Sequence, residues 1–348
     1  MDSKSVGQTI AHLRQQAGFT QKGLADRLFI SDKAVSKWER GLSLPDAAYW
    51  GKLSVLLDTD IDTILEGKPV YRQETWKGFL FTGPRSRAIS LQTRIYDKPL
   101  VYFLLSYFFL AGIGEVMIAC TEEEEAFLRK DLGNGERLGA TLSYCRIENE
   151  KGTSEILDDN HPFFMRSNVM TVFGNSILHG ANLTYIFQRA MLNHNRNTVL
   201  AIPTITADDK RVLWFDEERK ITKETKIKTK YDHVYLPILF SPGEFLVQCF
   251  SGLPLEEITL TRMTEEHDVY VDVANRGLLE MKLSSSDDLL EASGLVKTMQ
   301  KHMGLQLGCL EEIAWRRNMI DELELSAAAR RYEGTDLGIY LHRLIDKT

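Results

Sequence analysis

Residues 31–40 carry basic and small side chains in an order that could read DNA. If this stretch is helical, Val35 and Trp38 lie three apart and both point inward. Four residues then fall on the outer faces: Lys33, Ala34, Ser36 and Lys37. Small side chains let a helix sit deep in the major groove, where lysines meet phosphates or guanine edges. The pattern therefore predicts a recognition helix.

A second group of candidate residues follows the apolar run Phe79–Thr82, in the order G-P-R-S-R. It contains Gly83, Arg85 and Arg87. Two arginines at the carboxyl edge of a sheet could hold a phosphate or diphosphate. Ordinary surface charges on a loop explain the same residues equally well, so both interpretations stay open.

A recognition helix needs neighbours that hold it, and the first 67 residues have the pattern of five short helices. Thr20 and Ser31 are expected as N-caps, and Gly18 and Gly41 as helix ends. Apolar spacing predicts helices at Val6–Ala17, Gln21–Leu28 and Asp32–Arg40, around Leu53–Leu57, and at Ile61–Leu65. The expected core comprises Ile10, Leu13, Leu24, Ala25, Leu28, Ile30, Val35, Trp38, Leu53, Leu56 and Ile64. Gln21 and Ser31, at two helix starts, are further candidate DNA contacts.

Composition limits how this protein could bind DNA. The 348 residues carry a formal net charge of −7, so any contact must come from a local basic surface. The four cysteines are far apart and form no C-x-x-C pair, which argues against a zinc site or a disulfide framework. The first residues are polar, which predicts no signal peptide.

The apolar stretch Leu100–Cys120 is long enough to suggest a membrane span. It is interrupted by the sequence Gly-Ile-Gly-Glu, with glycines at positions 112 and 114. The pattern favours a buried helix at Leu100–Leu110, a turn, and a buried strand at Glu115–Cys120. We therefore expect no membrane partner.

Strands alternate with helices beyond residue 78, which predicts a mixed, mostly parallel sheet in an α/β domain. Expected strands are Thr141–Ile147, Val169–Phe173 and Val199–Ile205, and expected helices are Glu123–Lys130 and Leu183–Asn193. The basic run Lys220–Lys230 is expected at a solvated strand edge. The predicted organisation is a small all-α domain at 1–67, a linker at 68–77, and the α/β domain at 78–348.

The stretch TQKGLADRLFISDKAVSKWERGLSLPD resembles the helix-turn-helix of the Xre/Cro family. The resemblance covers roughly Val6–Gly67, and it implies major-groove readout by a dimer on an operator with two-fold symmetry. A small helical bundle that binds protein instead of DNA is the alternative. Arg14 and Lys52 are expected to be solvated surface charges. Glu39 is expected to stabilise a local turn or to form an ion pair with a basic side chain within one helical turn.

A second resemblance spans nearly all of Lys77–Lys347. The segments IYDKPLVYFLLSYFFLAGIGEVMIAC, LGNGERLGATLSY, DDLLEASGLVKTMQKHMGLQLGCLEEIAWRRNMID and GIYLHRLI look like sugar-1-phosphate nucleotidyltransferases, nearest to the glucose-1-phosphate thymidylyltransferase type. It implies Rossmann-like topology and a homodimer or homotetramer. It also implies an activity that joins a nucleoside triphosphate to a sugar phosphate and releases pyrophosphate.

The sequence departs from that family where the chemistry would occur. Only Gly83 of the glycine-rich triphosphate loop clearly survives. The two positions that the resemblance assigns to magnesium aspartates hold Asn175 and Lys282, an amide and a cation where Mg²⁺ needs carboxylates. Lys223 or Lys226 matches the lysine that contacts the sugar phosphate. Asp272 could be a ligand only if the alignment shifts.

The sequence thus predicts a cytoplasmic transcription regulator that binds double-stranded DNA. Its larger domain is expected to be a pseudoenzyme without catalytic residues, metal or cofactor, used for oligomerisation. Sensing of a nucleotide sugar or sugar phosphate would involve Gly83, Arg85, Arg87, Asn175, Lys223 and Lys282. Two rival readings stay open. One is an active sugar-1-phosphate nucleotidyltransferase that carries a DNA-binding domain, and the other is a regulator whose larger domain only assembles.

Overall fold

The N-terminal region is helical in the computed structural model. The model describes residues 3–16, 19–57, 61–66, 76–81, 89–147, 156–157, 159–165, 167–174, 176–180, 182–193, 196–204, 212–225, 232–250, 260–274 and 277–346. The five helices are α1 (Ser3–Gln16), α2 (Gln21–Leu28), α3 (Asp32–Glu39), α4 (Ala47–Leu56) and α5 (Ile61–Glu66). All five predicted helices are therefore present, and the expected end of the first, at residues 17 and 18, lies outside the described residues.

Two hydroxyl caps fix where α2 and α3 begin. The Thr20 hydroxyl accepts a hydrogen bond from the Gly23 N–H at 2.9 Å, and the Ser31 hydroxyl accepts one from the Ala34 N–H at 3.3 Å. Each bond satisfies a backbone donor that the first helical turn leaves without a partner. Both predicted caps are confirmed.

The apolar core of the helical region agrees with the predicted set. Nine of its predicted members are buried, Ile30 and Leu56 are partly buried against them, and Val6 and Leu57 join the cluster. Helices α1 and α3 approach each other closely at Gly7, where an added Cβ would lie 2.1 Å from the Trp38 carbonyl oxygen. A glycine is therefore needed at this contact.

The larger region is built on a nine-stranded mixed sheet among the described residues. Its strands are β1 (Trp76–Phe81), β4 (Glu115–Cys120), β5 (Thr141–Arg146), β6 (Asn168–Phe173), β8 (Asn197–Thr204), β9 (Val212–Phe215), β10 (Ile221–Thr225), β11 (Asp232–Pro242) and β12 (Val269–Val273). Two short antiparallel pairs stand apart from it: β2 (Arg94–Ile95) with β3 (Lys98–Pro99), and β7 (Ser176–His179) with β13 (Leu279–Lys282).

Strand directions confirm the mixed, mostly parallel α/β sheet. Seven strands share one direction: β1, β4, β5, β6, β8, β9 and β12. Strand β11 runs against β6, β8 and β9, and the expected solvated edge is occupied by β10, which pairs with β9. Large apolar clusters cover the two faces of this sheet.

Helices flank the sheet and close the chain. They are α6 (Leu100–Ala111), α7 (Glu122–Asp131), α8 (His161–Phe164), α9 (Leu183–Met191), α10 (Gly243–Phe250), α11 (Leu260–Glu266), α12 (Ser286–Met303), α13 (Leu310–Arg316), α14 (Glu322–Arg331) and α15 (Asp336–Ile345). Helix α6 is almost wholly buried and ends at Gly112, whose φ is +83°. The predicted helix, turn and strand across Leu100–Cys120 are confirmed, and none of the described helices is long and apolar enough to cross a bilayer.

The close approach at Gly7 gives a test of the helical packing. Gly7→Ala should lower the free energy of unfolding by about 1–3 kcal/mol, because the new methyl group has no room beside the Trp38 carbonyl. Gly51→Ala is the matched control, since a Cβ at this exposed position meets nothing within 4 Å. It should be stabilising by about 0.5–1 kcal/mol through helix propensity. Hydrogen exchange of residues 3–66 in the full chain measures both, and wild-type protection in Gly7→Ala would contradict the packing.

Candidate functional site

The outer face of α3 presents the side chains predicted to read DNA. Lys33 and Lys37 are exposed, four residues apart, and Ala34 and Ser36 are half-buried between them. Val35 and Trp38 are buried on the opposite face. The arrangement gives a narrow helix surface with an exposed lysine side chain at each edge, which suits insertion into a major groove.

Gln21, at the first position of α2, does not point freely into solvent. Its Nε2 donates a hydrogen bond to Glu39 Oε2 at 2.6 Å. The start of α2 is thereby tied to the last residue of α3. Gln21 can still offer its amide oxygen and second N–H, whereas the Ser31 hydroxyl already serves as the α3 cap.

Glu39 also forms a buried ion pair with Arg14. The Arg14 Nε lies 2.5 Å from Glu39 Oε1, and Arg14 Nη2 lies 3.2 Å from Glu39 Oε2. Arg14 Nη1 donates to the Phe19 carbonyl oxygen at 2.5 Å. This clamp of Arg14, Glu39 and Gln21 joins α1, α2 and α3 through charge-assisted hydrogen bonds.

The clamp corrects two expectations. Arg14 is only 7% exposed, so the prediction that it is a solvated surface charge was wrong. Glu39 does pair with a basic side chain, but this partner, Arg14, is 25 residues away on another helix rather than within one helical turn. Helix periodicity could not reveal the pair, because it is formed only when α1 packs across the end of α3.

The second candidate site lies at the carboxyl end of β1, where the order in which the chain adds strands to the sheet reverses. The chain runs from β1 through β4 to β5 on one side of β1, and then returns to place β6 on the other side. Strands β1 and β6 are parallel, and the Gly174 N–H donates to the Phe81 carbonyl oxygen at 2.7 Å where both end. Ligands of open α/β sheets bind in the crevice outside the carboxyl ends at such a switch point.

Four of the predicted ligand-binding positions lie outside the described residues. Gly83, Arg85 and Arg87 come after Phe81 and Thr82 in the sequence, and Asn175 comes after Gly174. Lys282 ends β13, where it is paired with Ser176 of β7, and its side chain is exposed. The backbone of Lys223 lies in β10, but its side chain is outside the described part.

A buried tyrosine braces this turn, and the sequence analysis did not identify it. The Tyr107 hydroxyl of α6 donates to the Ser176 carbonyl oxygen at 3.1 Å and accepts from the Leu178 N–H at 2.7 Å. Burial raises the pKa of Tyr107, so the hydroxyl keeps its proton. These two hydrogen bonds therefore hold β7 against the buried helix α6.

Acidic groups near Lys282 are occupied by other donors. The Ser176 hydroxyl donates to Glu280 Oε1 at 3.0 Å. Asp288 Oδ2 accepts from the Ser284 and Ser285 N–H groups at the start of α12. The Ser284 N–H is the main cause that lowers the pKa of Asp288, and the charge of Lys282 adds to it.

Comparisons with known proteins agree with both parts of the chain. Residues 10–64 match the helix-turn-helix family, and residues 87–223 match the nucleotidyl transferase family. The chain is 29% identical over 287 residues to the glucose-1-phosphate thymidylyltransferase of Neisseria meningitidis serogroup A, covering 78% of this chain and 100% of that protein. The enzyme of the same name from Mycolicibacterium smegmatis is 28% identical over 262 residues, covering 73% and 90%. The crystal structure of HddC from Yersinia pseudotuberculosis superimposes with a TM-score of 0.49 at 11% identity, covering 64% and 99%.

The chain therefore contains a region similar to helix-turn-helix domains, followed by a region similar to nucleotidyl transferases.

Asp272 in the nucleotidyl transferase domain is held by arginines. Arg189 donates two hydrogen bonds to its carboxylate, at 2.9 and 2.7 Å, and Arg219 Nη1 lies 3.6 Å from Oδ1. Arg219 has a left-handed backbone conformation, with φ +64°. The carboxylate is therefore committed to an internal ion-pair cluster, and a metal ion would have to displace two cations to use it.

A magnesium ion does not fit the crevice edge of this transferase domain. Of the two positions that the resemblance assigns to magnesium ligands, Lys282 pairs with Ser176, and Asn175 lies outside the described residues. They offer an amide and an ammonium. Mg²⁺ requires carboxylate oxygens with near-octahedral geometry, and an ammonium repels it.

The tyrosine brace gives a test of the crevice architecture. Tyr107→Phe should destabilise the transferase domain by about 1–3 kcal/mol, because two buried backbone groups lose a hydrogen-bond partner. Tyr96→Phe is the matched control, since that ring is 44% exposed. Hydrogen exchange at residues 176–180 should rise in Tyr107→Phe alone. Equal exchange in wild type and both variants would show that the brace does not hold the strand.

Proposed function

We propose that this protein is a sequence-specific, DNA-binding transcription regulator of the cytoplasm. The observation that carries the proposal is the outer face of α3, with Lys33 and Lys37 exposed around Ala34 and Ser36. The clamp supports it, because it fixes Gln21 and α3 relative to each other before any DNA is bound. Pre-organisation of this kind lowers the cost of binding. The partner is a double-stranded operator with two-fold symmetry.

The transferase domain is proposed to be a pseudoenzyme that serves oligomerisation and ligand sensing. Residues 1–67 form the DNA-binding unit, 68–77 the linker and 78–348 the sensing unit, which assembles as a homodimer or homotetramer. A nucleotide sugar or sugar phosphate would occupy the crevice beside Lys282. Such a ligand can change DNA binding only if its affinity differs between two arrangements of the assembly.

An active sugar-1-phosphate nucleotidyltransferase is the second candidate function. The similarity to the Neisseria enzyme over its whole length favours it. The ammonium of Lys282 at the crevice edge speaks against it, since phosphoryl transfer to a sugar phosphate depends on metal neutralisation of the triphosphate. The two candidate functions differ in one measurable reaction, the release of pyrophosphate from a nucleoside triphosphate.

The DNA-binding prediction concerns the two lysines of α3. Lys33→Ala and Lys37→Ala should each weaken binding to a duplex selected from random sequences by about tenfold, and lower its salt dependence if the contact is to phosphate. Lys52→Ala, on α4, is the control and should bind as wild type. Salt titrations by fluorescence anisotropy give both quantities. Unchanged binding in both α3 variants would favour the alternative of a bundle that binds protein.

The enzymatic prediction concerns pyrophosphate release. Purified full-length chain, incubated with Mg²⁺, each nucleoside triphosphate and glucose 1-phosphate, should release no more pyrophosphate than a blank, because the positions for metal carboxylates hold an amide and a lysine. A coupled pyrophosphate assay measures this, with the glucose-1-phosphate thymidylyltransferase of Neisseria meningitidis as positive control. Turnover at an enzymatic rate would replace the pseudoenzyme proposal with the second candidate.

A further inference from the structure

We propose that Phe29, in the turn between α2 and α3, contacts the methyl group of a thymine at the edge of the major groove when the protein binds DNA. The inference rests on the proposed DNA-binding function and deepens it, because it adds a specificity-determining residue to the predicted contacts. It starts from a side chain that neither the backbone nor the core of the helical region accounts for.

The backbone at Phe29 has a left-handed conformation, with φ 57° and ψ 44°. The Phe29 N–H donates to the Asp26 carbonyl oxygen at 3.2 Å, and the Ile30 N–H donates to the Ala25 carbonyl oxygen at 3.0 Å. These two bonds form a Schellman motif, whose left-handed position is usually glycine because a Cβ there crowds the following carbonyl oxygen. A phenylalanine is therefore held in strain at a position where glycine would fit without it.

The core of the helical region does not require the Phe29 ring. Phe29 is 89% exposed, the largest exposed fraction among the exposed large apolar residues that the structure describes. Its neighbours Leu28 and Ile30 are the residues that pack in the core or against it. Strained residues are kept where a function requires them, and an apolar ring gains stability only when it leaves water. Both properties of Phe29 are explained by a contact that forms in a complex.

The position of Phe29 favours DNA over another protein as the partner of its ring. Ser31, the N-cap of α3, follows two residues later, and Lys33 lies in the first turn of that helix. Because residues at the N-terminal end of a recognition helix contact base edges, the turn that leads into it lies at the rim of the groove. The thymine methyl is the apolar group that base pairs present in the major groove, and phenylalanine is among the side chains that contact it. The chemistry of the ring therefore selects thymine.

Fluorescence anisotropy with the full-length chain and a duplex selected from random sequences tests the inference. Thymines are replaced one at a time by deoxyuridine, which removes the methyl group and leaves the hydrogen-bonding groups in place. One such replacement in each half-site should weaken wild-type binding about fourfold, as expected for one buried methyl group, and should not affect binding by Phe29→Gly. On the unmodified duplex, Phe29→Gly should bind about four- to tenfold more weakly than wild type. Its salt dependence should be unchanged, because the ring neutralises no phosphate.

Stability measurements separate this role from a structural one. Hydrogen exchange in α2 and α3 should be as slow in Phe29→Gly as in wild type, or slower by up to about fivefold, because glycine relieves the left-handed strain. Val55→Ala is the matched control, since it shortens another apolar side chain, 80% exposed on α4, and it should bind every duplex as wild type. Faster exchange in Phe29→Gly would show that the ring holds the fold, and would overturn the inference.

The binding results can also overturn it. They do so if Phe29→Gly binds the duplex as wild type, or if deoxyuridine weakens wild type and Phe29→Gly equally. A changed oligomeric state of Phe29→Gly in sedimentation would place the ring at a contact between copies instead. Lys33→Ala is measured on the same duplex. Weaker binding by Lys33→Ala but not by Phe29→Gly refutes this inference alone and leaves a protein as the partner of the ring, whereas a wild-type chain that binds no duplex refutes the DNA-binding function as well.

Discussion

The larger part of this protein depends on β1 being paired on both edges by parallel strands. Because β4 and β6 lie on opposite sides of β1, the carboxyl end of β1 is a switch point of the strand order, the place where ligands of open α/β sheets bind. The bond from Gly174 to Phe81 fixes where that crevice starts. The short pair of β7 and β13 then brings Lys282, more than a hundred residues later in the chain, to the same place. The candidate ligand site is thus a property of strand order, and the residues placed there decide its chemistry.

The helix-turn-helix domain is organised by a different interaction, the buried clamp. Five short helices can bury little apolar surface, so each polar contact between them has a large share in their geometry. An arginine and a glutamate removed from water are costly unless both are well paired. Here the Arg14 guanidinium has two glutamate oxygens and the Phe19 carbonyl as acceptors, and Glu39 has a further donor in Gln21. The pair therefore specifies how α1 and α2 meet α3, and it holds the lysine-bearing face outward.

Local signals predicted much of this structure. The caps at Thr20 and Ser31, the strand Glu115–Cys120 and the helix that begins at Leu100 were all predicted, because capping hydroxyls, apolar runs and glycine stops act within a few residues. The resemblance to sugar-1-phosphate nucleotidyltransferases supplied the two candidate metal-ligand positions, Asn175 and Lys282. What the sequence could not show depends on partners distant in the chain. The Arg14–Glu39 pair, the Tyr107 brace and the arginines on Asp272 join residues 25 to 83 positions apart. Strand β11 escaped prediction for the same reason, since it runs against neighbours that are not next to it in sequence.

Both regions of the chain carry exposed lysines beside carboxylates that other groups hold. On α3, Lys33 and Lys37 are free to reach a polyanion because the clamp takes the nearby carboxylate of Glu39 out of competition. At the crevice, Ser176 and the start of α12 occupy Glu280 and Asp288 in the same manner, and Lys282 is left exposed. In both places hydrogen bonds from the chain hold nearby carboxylates, and the lysine side chains remain exposed.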